Sequence, residues 1–342
     1  MREMLNIQKQ LLPDLIDTMK KRYTILHHIM VSGIVGRRTL AGSLNTTERI
    51  MRAEVDFLKA QGLLEVEASG IRISAAGRQL LESIEPLVKD LFGLTELEER
   101  IRSHFGLKQV VIVPGDSDTS PHTKKELGRA GAAVLLKHVS QDEVIAVTGG
   151  STTAEVAYHL SSSNSLKGSW FVPARGGLGE SLEFQANTIA STMAKKTGAK
   201  YRLLHVPDHL GEEAYQSLMQ DSTILEIIQF IRKARIVVHG IGEAMVMARR
   251  RKVDAGTTSN LQQDGALAEA FGYYFDRGGK ILHKMPTVGL RIEDIQEMDC
   301  VIGVAGGKSK GEAIASVLRF GQEDILVTDE AAAIEIVHLL TS

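Results

Sequence analysis

One cysteine, Cys300, stands in 342 residues. That scarcity excludes an internal disulfide framework and every metal site built from several cysteines, and it fits a reducing cytoplasm. Long hydrophobic runs are missing too, for no apolar stretch approaches the roughly 20 residues a membrane span needs. The opening segment, MREMLNIQKQ, has no apolar core of the secretory kind. A soluble, cytoplasmic protein without membrane contact is therefore expected. The histidines lack metal-ligand spacing, so His27, His28, His104, His122 and His138 are expected on the surface or at helix ends, with no metal and no resident cofactor. Nucleotide motifs are absent as well. Gly307-Lys308-Ser309 would need glycine five positions earlier for a P-loop, and Ile302 stands there. Gly240-Ile241-Gly242 leads to Met245 where a dinucleotide fingerprint requires glycine.

What is present begins with an uneven charge. The net value is −2, yet between residues 20 and 60 the eight cations Lys20, Lys21, Arg22, Arg37, Arg38, Arg49, Arg52 and Lys59 face only Glu48, Glu54 and Asp56. Residues 61–105 hold five basic and eight acidic residues, so the basic character is local. Local basicity suits a phosphate backbone, or simply a solvated face. Leu12, Leu15, Ile16, Met19, Tyr23, Leu26 and Met30 recur three or four apart, as on one helix face. A short helical segment, 38–43, leads to a turn at Leu44-Asn45, and Asn45, Thr46 or Thr47 then caps a third helix reaching Ala60. Its apolar side is read as Ile50, Val55 and Leu58. Alternation over 62–67 and 71–74, joined at Ser69-Gly70, predicts a hairpin that serves as a wing. In a winged helix-turn-helix the second helix enters the major groove. Thr46, Thr47, Arg49 and Arg52 are thus the base-reading candidates, with Arg37, Arg38, Lys59 and Arg72 on phosphates; a winged fold serving protein contacts is the alternative.

Residues 77–106 read as a helical linker with Leu80, Leu81, Ile84, Leu87, Val88, Leu91 and Leu94 along one side and a kink or restart at Pro86. Its stripe fits a homodimer contact or packing on the body. From 107 to 342 short apolar runs alternate with helical stretches: 110–113, 144–147, 170–172, 201–205, 236–238, 300–304 and 325–327. Such alternation predicts a large α/β domain, doubly wound around a mostly parallel sheet. Residues 271–288 read instead as a hairpin. Cys300 opens a strand and is read as a buried structural thiol.

Ligands of such sheets lie beyond the carboxyl ends of the strands. Three glycine pairs stand there: Gly149-Gly150 before Ser151-Thr152-Thr153, Gly176-Gly177 after Arg175, and Gly306-Gly307 before Lys308-Ser309-Lys310. Glycines let backbone amides approach an anion, so all three have the form of phosphate cradles. Arg175, Arg250, Arg251 and Lys310 supply enough countercharge for two phosphates. Asp116-Ser117-Asp118 is read either as a partner of sugar hydroxyls or as a helix cap.

The strings PGDSD (114–118), VTGGSTTAEVA (147–157), FVPARGGLGE (171–180), QANTI (185–189), HGIGEA (239–244), EAFGYYFD (269–276) and VAGG-x-SK (304–310) resemble the SorC-type sugar-responsive regulators, particularly those governing central glycolytic genes. The likeness covers nearly the whole chain. It implies a head at 1–76 that binds double-stranded operator DNA, a linker at 77–106, and an effector-binding and oligomerisation domain at 107–342 resembling sugar-phosphate isomerases. It further implies a repressor of glycolytic genes induced by fructose 1,6-bisphosphate, acting as a homo-oligomer, a dimer and a dimer of dimers on DNA. The family's effector positions fall on Gly149, Gly150, Ser151, Thr152, Arg175, Gln185, Arg250, Arg251, Glu269 and Lys310. The competing reading is a sugar-phosphate isomerase or deaminase, for which Glu269, Asp116 and His239 are the available acid-base groups.

Overall fold

The computed structural model describes residues 11–177, 181–207 and 211–341. They form two compact units that part between Glu96 and Leu97, with Ser120–His122 belonging to the first.

The first unit opens with helix α1 (Pro13–Ser32), whose proline occupies a first turn that needs no amide hydrogen. Helix α2 (Arg37–Ser43) ends in a turn where Asn45 takes a left-handed φ of 48°. The Thr47 hydroxyl then accepts the Ile50 amide at 3.3 Å and caps helix α3 (Glu48–Ala60). Strands β1 (Leu64–Glu67) and β2 (Gly70–Ile73) pair antiparallel, with Leu64 opposite Ile73. Helix, turn, helix and hairpin thus follow in the order the sequence predicts. Ile25, Ile29, Leu40, Met51, Val55, Leu58 and Ile71 share one core with Leu81 of helix α4 (Ala75–Phe92).

Four expectations are corrected. The single apolar face of α1 divides: Ile16 and Leu26 are buried while Leu12, Leu15 and Met19 are exposed. The consecutive residues 25–29, His27 and His28 included, are buried because α2, α4 and β2 all pack on this helix. His27 stacks on Tyr23 and lies against His122, as does His28, so these rings are packing groups rather than surface ones. On α3 the inward side is Met51, Glu54, Val55 and Leu58, while Ile50 faces out. At about 100° per residue those four share one side and position 50 falls beyond it. Buried Glu54 accepts from Arg22 Nε at 3.0 Å and pairs with Lys21. Burial opposes its ionisation, but those two cations outweigh it and lower its pKa. The Pro86 side chain lies outside the described residues; α4 continues to Phe92 and ends at Gly93 (φ 73°), so the restart falls at helix α5 (Leu94–Phe105).

The second unit carries strands β3 (Gln109–Val113), β4 (Val144–Val147), β5 (Trp170–Pro173), β6 (Lys200–Tyr201), β7 (Ile236–His239), β12 (Cys300–Val304) and β13 (Ile325–Asp329) in one parallel sheet, ordered β3-β13-β12-β7-β4-β5-β6. Every residue of β7, β12 and β13 is buried, as a sheet covered on both faces requires. Between the strands run helices α6 (Pro121–His138), α7 (Ser151–His159), α8 (Ala186–Thr197), α9 (Glu212–Leu218), α10 (Ser222–Ile231), α11 (Ala244–Arg250), α12 (Ala255–Gln263), α13 (Ile292–Gln296) and α14 (Gly311–Phe320), and α15 (Glu330–Thr341) follows β13. From the adjacent pair β4 and β7 the chain proceeds outward in opposite directions, which opens a crevice at their carboxyl ends.

Two details differ from the sequence reading. The strand expected over 201–205 pairs only as Lys200–Tyr201, because Asn187 of α8 takes both backbone groups of Leu204, at 2.9 and 3.0 Å, and draws the segment off the sheet. The hairpin expected over 271–288 is half of a four-stranded antiparallel sheet: β10 (Tyr273–Phe275) and β11 (Ile281–Lys284) continue into β9 (Ala268–Ala270) and β8 (Gly242–Glu243). Strands of two or three residues are too short to show alternation.

Candidate functional site

The crevice between β4 and β7 deepens into a cavity of about 680 Å³. Its floor is the turn from β4 into α7. Thr148 Oγ1 accepts the Gly240 amide at 3.2 Å, which ties this turn to the one after β7. Gly149 lies so close to Phe184 that a Cβ would stand 2.7 Å from its carbonyl oxygen, and Gly150 adopts φ 139°; both positions require glycine. No side chain caps α7, so the first-turn amides and the hydroxyls of Ser151 and Thr152 are presented to the cavity, at the positive end of the helix dipole.

The other two glycine pairs are not cradles. The amides of Gly176 and Gly177 donate to Val288 and Val206 carbonyls at 3.2 and 2.9 Å. After β12 the amides of Gly307, Lys308 and Ser309 donate to carboxylates of Asp329 (2.7 Å), Asp116 (3.3 Å) and Asp118 (2.8 Å). Asp116 and Asp118 therefore tie two loops together instead of facing a sugar. From these loops it is the side chains of Arg175 and Lys310 that reach the cavity.

Cations gather there. Lys124, Arg175, Arg250, Arg251 and Lys310 line the cavity against the carboxylates of Glu243 and Glu269. Buried Glu269 receives Arg175 Nη1 at 3.2 Å, Arg251 Nη2 at 3.0 Å and the Gly272 amide at 2.6 Å, all on Oε1. Burial opposes its ionisation, but Arg251 and Arg175 outweigh that and hold its carboxyl below the usual range. Gly272 takes φ 84° beneath the Arg175 guanidinium, where a Cβ would stand 2.7 Å from a guanidinium nitrogen. Lys310 is in the opposite condition. Burial and the like charge of Lys124 push its ammonium below the ordinary lysine range, with Arg250 adding to the effect, while Asp118 and Glu243 only partly offset them. An anion among these cations would relieve a repulsion already present.

All ten positions named for an effector, Gly149 to Thr152, Arg175, Gln185, Arg250, Arg251, Glu269 and Lys310, line this one cavity. The sequence reading passed over Lys124, and its only signal was the Lys124-Lys125 pair opening the helix after β3. His239 is fully buried and does not line the cavity: its Nε2 lies 3.4 Å from the buried Glu323 carboxylate and its ring is tilted against Phe271 at 4.3 Å. Burial pushes the Cys300 thiol up to about 11, so it stays protonated.

In the first unit, the residues named for DNA divide by partnership. Arg38 is held by Glu48 (2.7 Å), and Arg72 by Glu65 and Glu67 across the hairpin. Thr47 is engaged as the α3 cap. Arg49, Arg52 and Lys59 are exposed on α3 without an ion pair among the described residues, Arg37 is half-buried before it, and Thr46 is half-buried at its start.

Comparison with known proteins agrees with this division. Residues 18–88 match the model of the "CggR N-terminal DNA binding domain", and residues 89–338 that of the "Putative sugar-binding domain". The chain is 45% identical to the central glycolytic genes regulator of Priestia megaterium over 99% of both chains, and 43% identical to that of Bacillus subtilis over 97% of this chain and 98% of that one. Among solved structures, a "putative SorC family transcriptional regulator" from Enterococcus faecalis superposes with a TM-score of 0.66 at 40% identity, covering 71% of this chain and 99% of its own. The full-length sorbitol operon regulator SorC from Klebsiella pneumoniae, at 17% identity, shares the fold over 90% of this chain and 94% of its own with a TM-score of 0.67. DNA-binding regulators with a sugar-binding body are the class these matches define. The chain belongs to the SorC-type family of sugar-responsive transcriptional regulators, in the branch of the central glycolytic genes regulators. Its close relatives are regulators and not enzymes, so the isomerase reading is set aside. No helix among the described residues is long and apolar enough to cross a membrane.

Proposed function

We propose that this chain is a cytoplasmic repressor of glycolytic genes that binds operator DNA through α3 and is induced by fructose 1,6-bisphosphate held in the β4–β7 cavity. The observation that carries the reading is the crowding of Lys310, Lys124 and Arg250 beside the uncapped start of α7: one phosphate satisfies that end. The second phosphate takes the remaining charge of the Arg175–Arg251–Glu269 group, and Glu269 Oε2, free of the three bonds on Oε1, accepts a sugar hydroxyl. Exposed Leu12, Leu15 and Met19 support self-association through α1 into a dimer, with a dimer of dimers on DNA.

Calorimetry tests the effector. Fructose 1,6-bisphosphate is expected to bind at least tenfold more tightly than fructose 6-phosphate or glucose 6-phosphate, since a lost charge-assisted contact costs on the order of 2–5 kcal/mol. Equal affinities would mean a single phosphate site.

The DNA half has its own test. Arg49→Ala and Arg52→Ala are each expected to cost roughly 1–3 kcal/mol of operator affinity if they read bases, and to leave sequence preference intact while flattening the salt dependence if they meet phosphates. Fluorescence anisotropy over a salt series reads both. Unaltered binding by the double variant would remove α3 from the interface.

A further inference from the structure

Ile50 is the misfit of helix α3. It is 48% exposed in the first turn, whereas Met51, Val55 and Leu58 of the same helix are at most 1% exposed. It lies at one edge of the outer face, beside Arg49 and on the side of Thr46 in the turn before it, while exposed Arg52 stands at the opposite edge of that face. We propose that Ile50 is a base-reading residue that packs on the C5-methyl groups of thymine in the major groove. The proposal rests on the reading of α3 as the recognition helix, whose first-turn side chains reach base edges.

Thymine is the only base that offers an apolar group in the major groove, so an aliphatic side chain among cations has one natural partner there. A protein partner fits the surface poorly. The neighbouring apolar residue, Phe57, is 40% exposed and carries the Arg22 guanidinium 3.7 Å from its ring centroid, so the apolar surface along the helix is small and interrupted by a cation. An isoleucine and a half-shielded ring are far short of the area of about 800 Å² per partner that a specific protein interface buries. The surrounding charge is complementary to phosphate: Arg49, Arg52 and Lys59 carry no ion pair among the described residues, whereas Lys21, Arg22 and Arg38 are held by Glu54 and Glu48. The exposed cations would anchor the helix and leave the methyl contact to discriminate.

The test compares the tightest duplex that the full-length protein selects from a random pool, made once with thymidine and once with deoxyuridine, which removes the C5-methyl alone. The wild type is expected to prefer the thymidine duplex about fourfold for each methyl buried, since one such group is worth about 0.8 kcal/mol. Ile50→Ala should bind both duplexes alike, at the affinity the wild type shows for deoxyuridine DNA. Ile50→Val, which keeps two methyls, should retain most of the preference. Arg49→Ala should weaken both duplexes and leave their ratio untouched. A wild type indifferent to the methyl, or an Ile50→Ala protein that keeps the wild-type ratio, overturns the proposal. If Arg49→Ala binds as tightly as the wild type with the same salt slope, the recognition-helix reading falls and takes this one with it. Weakened Arg49→Ala binding beside an unchanged ratio for Ile50→Ala defeats the methyl contact alone.

Discussion

Replacing Glu269 by leucine is expected to lower the stability of the second unit by about 3–5 kcal/mol, because it strands two buried guanidinium groups around a lost anion. Arg175 and Arg251 are both buried, and both bond the same Glu269 oxygen. In a domain of this size the loss corresponds to roughly 6–20 °C in Tm, to be read by calorimetry. Glu269→Gln keeps the shape and the acceptor and removes only the charge, so it should fall between the wild type and Glu269→Leu. The sign of the pH dependence follows from the lowered pKa. A carboxyl whose folded value lies under its ordinary 4.5 contributes stability that is complete above 4.5 and fades as the pH drops through the lower folded value. The gap between wild type and Glu269→Gln should therefore be constant around neutrality and narrow only below pH 4.5. A leucine variant as stable as the wild type would mean the two arginines find other support.

The parts legible in the sequence are those with a strong period or a fixed backbone need. Six of the seven strands of the main sheet announce themselves as apolar runs because that sheet is covered on both faces, the exposed edge strand β6 being the exception, and Gly149-Gly150 marks the β4–α7 turn because no other residue fits it. Tertiary partners account for the rest. Nothing local reveals that Asp116, Asp118 and Asp329, from the ends of β3 and β13, fill the amides after β12; the same glycine pattern therefore reads as a ligand cradle in one loop and is an internal lock in another. Lys124 reaches the cavity from a helix more than twenty residues before the first cradle, so no motif contains it. On α3 the error at Ile50 has a geometric cause. Apolar residues at 50, 51, 55, 57 and 58 cover nearly half of the helix circumference, wider than the buried face, and only the packing of α3 on α2 and β1 decides which edge of that arc faces in.

The sharpest separation of effector from operator should come from Lys310→Met. In the free protein its ammonium is disfavoured, first by burial and then by Lys124. A lysine with a lowered folded pKa costs stability that is complete below the lowered value and fades as the pH rises from there to the ordinary 10.5, so removing the charge should leave the fold at neutral pH as stable as the wild type or slightly more so. The same charge becomes an asset when a phosphate arrives. Its loss should weaken fructose 1,6-bisphosphate binding by on the order of 2–5 kcal/mol, roughly 30-fold to several-thousand-fold. Arg250→Ala should lose less, because Arg250 is exposed and well hydrated without the ligand. Neither residue lies in the unit that carries α3, so operator affinity without effector should equal that of the wild type. Coupling between sites is reciprocal and typically worth roughly 1–3 kcal/mol, so bisphosphate should weaken operator binding of the wild type by about 5- to 150-fold and that of Lys310→Met hardly at all at the same concentration. Anisotropy on labelled operator, titrated with fructose 1,6-bisphosphate, measures the difference, and sedimentation of the complex tells whether the released species is a smaller assembly. A Lys310→Met protein that still responds at wild-type effector concentrations would place the phosphate elsewhere in the cavity. A wild type that binds the bisphosphate tightly while holding its operator unchanged would sever the switch from the site.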